Sequence, residues 1–289
     1  LEGYAWNIRR ITEGYNEILI DEYHLFNDTE RYLLHLLTND PDIYLKLVLS
    51  VDPAQSPFAL LAGLDHKQLS RLASTTGFNV EVDLVELSTI HRFTRNIHRF
   101  VNHIYGSLPN LVGLGSDWTY DVSSLPSGDG DGALVKVRFA DDPEVVPVAV
   151  EIAQQKKAQM PRGARIAVLG VTLTDLAEMR SYIESKGISR HFTTMSSRED
   201  VDRLAYSQKT IVLASAEYAA GLQFDTIVIV SAVNPEGNIK SASATRAAIS
   251  QLYLAATRSK SALYCVSTSS DTIVSNVLRT AVDAGVADH

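Results

Sequence analysis

The sequence predicts an α/β fold with parallel sheets, divided between two domains. Three observations predict it. Short apolar runs alternate with stretches of helical periodicity, and strand, helix, strand in that order is a βαβ unit. The chain has 289 residues, enough for two ordinary domains with real cores. A stretch rich in Gly, Ser and Asp, "GLGSDWTYDVSSLPSGDGDG", interrupts the pattern after residue 112.

The elements follow in order along the chain. "WNIRRITEGY" reads as helix and "EILIDEY" as a short buried strand. "DTERYLLHLLTND" has apolar residues at helical spacing, with Asp28 as a plausible N-cap. "YLKLVLSVD" is again a strand, "DHKQLSRLASTTG" a helix and "NVEVDLVEL" a strand. Residues Thr89 to Gly106 read as one helix, and residues 113–132 as a flexible loop. Its Asp129/Asp131 pair lacks the distal Glu of a calcium loop, so it reads as solvated. Beyond the loop, "ALVKVRFA" reads as strand, "EVVPVAVEIAQQKKAQ" as helix and "RIAVLGV" as strand. "TDLAEMRSYIESKG" is a helix closed by Gly187, and "KTIVLAS" and "DTIVIVSAV" are strands. "ATRAAISQLYLAATRS" is a helix, "ALYCVS" a strand, and a final helix ends the order.

Composition bounds the function. Hydrophobic content is 45% and charged content 21%, so the chain is globular and not disordered. No apolar run reaches the length that spans a bilayer, and the first residues lack a signal-peptide apolar region. Cys265 is the single cysteine, which excludes disulfide frameworks and cysteine metal sites. A cytoplasmic location is expected. The net charge of −8 counts against a nucleic-acid binder. The chain opens on Leu1 inside a helix-like stretch, so a fragment of a longer protein is expected.

Two strand ends stand out. "ILIDEYHLF" ends a buried strand in Asp21-Glu22. Ligand sites in parallel sheets lie outside the carboxyl ends of strands. One carboxylate there can hold Mg²⁺, and the next can polarise a water toward a phosphate. Taken alone, the pair also reads as surface carboxylates. "LVLSVDPAQSPF" is a second strand ending in a polar loop, with Asp52 and Gln55. A glutamine there can position a water or sense a terminal phosphate, although Asp52-Pro53 alone is a turn.

Together these two stretches resemble motifs II and III of the UvrD/Rep-like superfamily 1 DNA helicases. Three later stretches resemble further motifs in the same order. "LSTIHRFTRNIHRFVN" is similar to motif IV, "IVLASAEYAAGLQFDTIVIV" to motif V and "QLYLAATRSKSAL" to motif VI. The resemblance implies two RecA-like domains of the P-loop NTPase type, residues 1–85 and 86–289, with the first truncated at its N-terminal side. It implies an ATP- and Mg²⁺-dependent motor acting on single-stranded DNA. Asp21 would serve the Mg²⁺ and Glu22 would activate the water. Gln55 would couple the γ-phosphate to the nucleic-acid site, and Arg92 and Arg258 would act as arginine fingers. His24, Gly221 and Gln223 would face the nucleotide. Phe58 and Ser215 would face nucleic acid. A protein partner in a repair or replication assembly is a further expectation.

The departures from the family pattern carry weight. His24 stands where the family has Gln, and Leu60 and Leu61 replace a polar-aromatic grip. Glu217, Ala220 and Gln223 stand where His, Lys and Glu are usual. Nucleic-acid grooves need positive charge and aromatic platforms, so these changes weaken that contact. No G-x-x-x-x-G-K-[ST] phosphate loop occurs in the chain. It is expected upstream of Leu1; the alternative is a nucleotide-free relative that scaffolds a partner. A generic nucleotide-binding α/β enzyme is a third reading. His91, His98 and His103 read as ordinary helix-surface histidines and not as a zinc site. Only a short link joins "ESKGIS" to "KTIVLAS", so the large helical insertion common in the family is expected to be absent.

Overall fold

The structure is a computed structural model that describes residues 17–21, 46–50, 93–108, 130–197, 200–201, 204, 209–232 and 242–289. The chain divides into two compact units, residues 1–86 with 111–118, and residues 87–110 with 119–289.

In the first unit, β1 (Glu17–Ile20) and β2 (Lys46–Leu49) pair in parallel, in register from Glu17↔Lys46 to Ile20↔Leu49. The Ser50 N–H donates to the Ile20 carbonyl at 2.8 Å, which holds the two carboxyl ends level. The expected buried strand is corrected here. Ile20 is buried, but Leu19 and its register partner Val48 are exposed. Side chains alternate across a strand, so one apolar face can be covered while the other stays open. The expected helices at 6–15, 28–40 and 65–77, and the strand at 79–87, lie outside the described residues.

The second unit is built on a seven-stranded sheet in which all pairings are parallel. Its strands are β3 (Val135–Ala140), β4 (Ile166–Gly170), β5 (Phe192–Thr194), β6 (Ile211–Ser215), β7 (Phe224–Ser231), β8 (Ser259–Thr268) and β9 (Ala287–Asp288). They lie in the order β5-β6-β4-β7-β8-β3-β9. Every residue of β4 (IAVLG) and β6 (IVLAS) is buried. Helices cover both faces of a parallel sheet, which is why these runs are apolar throughout instead of alternating. The helices are α1 (Arg95–Gly106), α2 (Asp142–Gln159), α3 (Leu173–Ser185), α4 (Ala242–Ala256) and α5 (Ile273–Asp283).

The core on one face joins Val145, Val146 and Ala149 of α2 and Leu176, Met179 and Ile183 of α3 to Ile166, Val168, Leu213, Val228 and Val230. The strand residues of opposite parity, among them Leu169, Ile227, Ile229 and Leu263, are equally buried. On that side α1, α4 and α5 pack on one another, with α4 against β7 and β8. None of the described helices is long and apolar enough to cross a membrane.

Four expectations are corrected. The helix expected from Thr89 begins at Arg95, because Thr94 is extended (φ −63°, ψ 159°) and its N–H is taken by the Lys260 carbonyl. The loop expected to be flexible ends in residues 130–132, which are exposed as expected but are tied by hydrogen bonds to the first turn of α1. β8 begins three residues earlier than the apolar run suggests, since Ser259 pairs with Phe224. The edge strands β5 and β9 were not anticipated; runs of three and two residues carry no readable periodicity. The described part of the link from α3 to β6 holds the 3₁₀ turn Ser189–His191, β5, and 3₁₀ residues at 200–201, 204 and 209.

Candidate functional site

Asp21 stands where the sequence reading puts it, directly beyond the carboxyl end of β1, and it is exposed. Glu22, His24, Gln55, Phe58 and Arg92 lie outside the described residues.

The second unit has two edges with different chemistry. The carboxyl edge is hydroxyl-rich and acidic. Ser215 ends β6 there, almost fully buried, and its Oγ accepts from the Tyr218 N–H at 3.4 Å. A hydroxyl in this position shapes the turn that follows. Asp175, at 0% exposure, accepts at 2.8 Å from the Thr172 N–H, the Thr172 hydroxyl and the Ala232 N–H. The Thr172 Oγ1 in turn accepts from the Asp175 N–H at 3.0 Å, which completes a capping box at the start of α3. Asp142, in the first turn of α2, accepts from the Thr268 and Ser270 hydroxyls. Partial burial, reinforced by Asp175 and Asp142, raises the Glu178 carboxyl above its ordinary range.

The amino edge gathers the remaining expected residues. Residues 216–223 carry the chain from β6 at the carboxyl edge to the start of β7 at the amino edge, with Ala216 and Ala219 fully buried beneath them. Gly221 closes the turn at φ +78°, a left-handed conformation that favours glycine; a Cβ there would meet nothing within 4 Å. Gln223 follows, half-buried. The next residue, Phe224, donates its N–H to the Arg258 carbonyl at 3.0 Å, so Gln223 and Arg258 flank a single backbone bond.

Arg258 is 1% exposed. Its Nε donates to the Leu254 carbonyl at 3.3 Å and its Nη2 to Thr257 Oγ1 at 3.2 Å. It lies just past α4, where the carbonyl end of the helix favours a cation. A solvated helix face is therefore not where this arginine stands. Two residues beyond it, the Lys260 carbonyl accepts the Thr94 N–H at 3.3 Å. The segments that precede α1, β7 and β8 thus meet at one edge, while Ser215 stands at the other.

The histidine reading is also corrected. His98 is buried, with its ring 6.1 Å from that of Phe93. His103 Nε2 lies 3.0 Å from Thr280 Oγ1 of α5, and burial lowers its pKa. His98 is thus covered, and His103 faces α5 instead of lying free on the helix surface. Among the described residues no group of three or more His, Cys, Asp or Glu is placed to hold a metal. Burial also pushes the Cys265 thiol far up, so it is no nucleophile.

Neither a protein-family model nor a curated protein sequence matches the chain. Solved structures do. The chain is similar to S. cerevisiae Dbp5 bound to RNA and ADP BeF3, with TM-score 0.50 and 10% identity, over 97% of this chain and 60% of that one. The fold is helicase-like. The Dbp5 variant L327V, also bound to RNA and ADP BeF3, matches to the same extent. The C-terminal domain of a possible DNA helicase from Lactobacillus plantarum WCFS1 matches at TM-score 0.40 and 19% identity, over 65% of this chain and 94% of that one. The chain spans 60% of the length of the Dbp5 chains it matches.

Sequence reasoning passed over Asp175. The signal was present as Thr172-x-x-Asp175 ahead of an apolar run, the pattern of a capping box. It gave no sign that the other carboxylate oxygen would reach the end of β7.

Proposed function

We propose that this chain is the motor core of an ATP-dependent DNA helicase or translocase of the UvrD/Rep type, active as part of a longer protein and located in the cytoplasm. Asp21 offers the hard carboxylate oxygen that Mg²⁺ takes, and Glu22 polarises the attacking water. Arg92 and Arg258 neutralise charge on the γ-phosphate, with Gln55 coupling that site to single-stranded DNA. His24, Gly221 and Gln223 line the nucleotide, and Phe58 contacts the DNA.

The observation that carries the reading is the convergence at the amino edge. Arg258, Gln223 and the backbone two residues past Arg92 are brought together by the Phe224–Arg258 and Thr94–Lys260 hydrogen bonds. The Dbp5 structures, solved with RNA and ADP BeF3, agree in fold.

A second reading has one observation in its favour. Asp142 and Glu178 place exposed carboxylates at the carboxyl edge, which suits a helicase-like module that binds a protein partner without hydrolysing ATP. Phosphate release separates the two. Residues 1–289, which carry no phosphate loop, should bind ATP·Mg²⁺ poorly and release no measurable phosphate. The longer protein should show a DNA-stimulated ATPase that Glu22→Gln abolishes. Silence from the longer protein would favour the partner-binding module, and turnover by residues 1–289 alone would mean that the phosphate site is misplaced.

A further inference from the structure

β8 does not start as a regular strand. Phe224 pairs with Ser259 and Thr226 with Ala262, so Lys260 and Ser261 together stand opposite Asp225. This is a β-bulge, in which an extra residue bends one strand and re-aims its side chains. Two hydrogen bonds hold it in place. The buried Ser259 hydroxyl donates across it to the Ala262 carbonyl at 2.8 Å. The Lys260 carbonyl accepts the Thr94 N–H at 3.3 Å. Between these two ties the side chains of Lys260 and Ser261 are left exposed.

The bulge follows directly on the amino-edge residues. Arg258 lies two residues before Lys260, and its carbonyl accepts the N–H of Phe224, the neighbour of Gln223. The Arg258 side chain is buried and bonded to the Leu254 carbonyl and to Thr257 Oγ1. To meet an anion outside, its guanidinium has to give up those bonds. Lys260 has none to give up: among the described residues its ammonium has no hydrogen-bond or ion-pair partner. The charges nearby are engaged elsewhere. Asp225 Oδ2 accepts the Arg165 N–H at 2.7 Å, and Arg95 pairs with Asp131 at 2.7 Å. An exposed ammonium on a flexible stem binds phosphate as a point charge with three donors.

We propose that Lys260 contacts the terminal phosphate of a bound nucleoside triphosphate, beside Arg258. The inference rests on the reading of the amino edge as the face that meets the nucleotide. The bulge supplies the aim, and the ammonium supplies a positive charge that is accessible without rearrangement of α4.

The test is equilibrium binding of Mg²⁺-adenylyl imidodiphosphate, a non-hydrolysable ATP analogue, and of Mg²⁺-ADP to the longer protein. Lys260→Ala keeps the carbonyl that holds Thr94, so the bulge survives the change. It should weaken the analogue about 10-fold and ADP less than about twofold, because ADP lacks the phosphate that the ammonium meets. Lys260→Arg, which keeps the charge, should retain most of the affinity. Equal losses for the analogue and ADP would overturn the proposal, as would parent affinity for both. A loss confined to single-stranded DNA binding would assign the lysine to nucleic acid and overturn it too. Arg258→Ala separates this inference from the reading beneath it. If Arg258→Ala is inactive and Lys260→Ala binds the analogue like the parent, only the Lys260 contact fails. If Arg258→Ala turns over ATP at the parent rate while Lys260→Ala shows the selective loss, the finger role of Arg258 fails and the Lys260 contact stands.

Discussion

Removing the Asp175 carboxylate should loosen the carboxyl edge of the second unit by a definable amount. In Asp175→Ala two backbone N–H groups lose their acceptor, those of Thr172 and Ala232. The N-cap bond to Thr172 Oγ1 survives, and loss of the reciprocal half of the capping box costs about 1 kcal/mol. Ala232 is buried, so its stranded N–H costs a further ~1–3 kcal/mol. The expected destabilisation is then about 2–4 kcal/mol. Asp175→Asn is the sharper variant because it keeps the shape. Its amide can accept at one end only, and the NH₂ at the other end must face an N–H donor. Asn should therefore recover less than half of the loss. The assay is urea unfolding followed by far-UV circular dichroism at neutral pH, with amide exchange of the Thr172 and Ala232 N–H groups as the local readout. An Asn variant within about 0.5 kcal/mol of the parent would refute the claim that both oxygens are needed, since that is the ordinary range for surface changes.

Arg258→Ala in the longer protein should cut ATP turnover about 10³-fold or more with a far smaller change in nucleotide binding, as fluorescent-nucleotide titration would register; equal and modest losses of both would remove Arg258 from the phosphate site. The Glu178 carboxyl is raised, so its favourable contribution is complete below the ordinary glutamate value of 4.5 and is lost as pH rises through its folded value. Glu178→Gln should accordingly match the parent in unfolding at low pH and become the more stable of the two toward neutrality, and a gap independent of pH would contradict this. His103 is lowered from 6.5, so its contribution is complete above that pH and is lost as pH falls through its folded value. His103→Gln should flatten the acid side of the stability profile, and a parent-like decline would show that another group is responsible.

Much of the fold is legible in the sequence because it follows from local pattern. "RIAVLGV", "KTIVLAS" and "DTIVIVSAV" are too apolar to alternate, which calls for strands covered on both faces, and β4, β6 and β7 are so covered. The helices between them carry the expected spacing, and α2 tolerates Pro143 because it falls in the first turn, where helix N–H groups lack partners in any case. The misses cluster where backbone atoms make the contact. The Thr94–Lys260 bond and the bonds from Arg95 and Asn96 to residues 130 and 131 join peptide groups, so nothing in the side chains announces them. The start of α1 and the tie from residues 130–132 to its first turn differ from the expectation for that one reason. His98 was misread because helical spacing places a residue on a face without saying which face another helix will cover.

The sequence by itself determined the class of fold, the order of the elements and the succession of motif-like stretches, since each is written in short-range periodicity and residue type. It also determined that a phosphate loop is no part of these residues. Only the tertiary structure decided where those stretches come together. Every strand has two ends, and sequence spacing does not say which end a flanking residue will share with its neighbours. The strand order β5-β6-β4-β7-β8-β3-β9 and the passage of residues 216–223 from one edge to the other place Gly221, Gln223 and Arg258 together and leave Ser215 opposite. That partition depends on how helices pack across the sheet, a long-range property that no window of sequence contains.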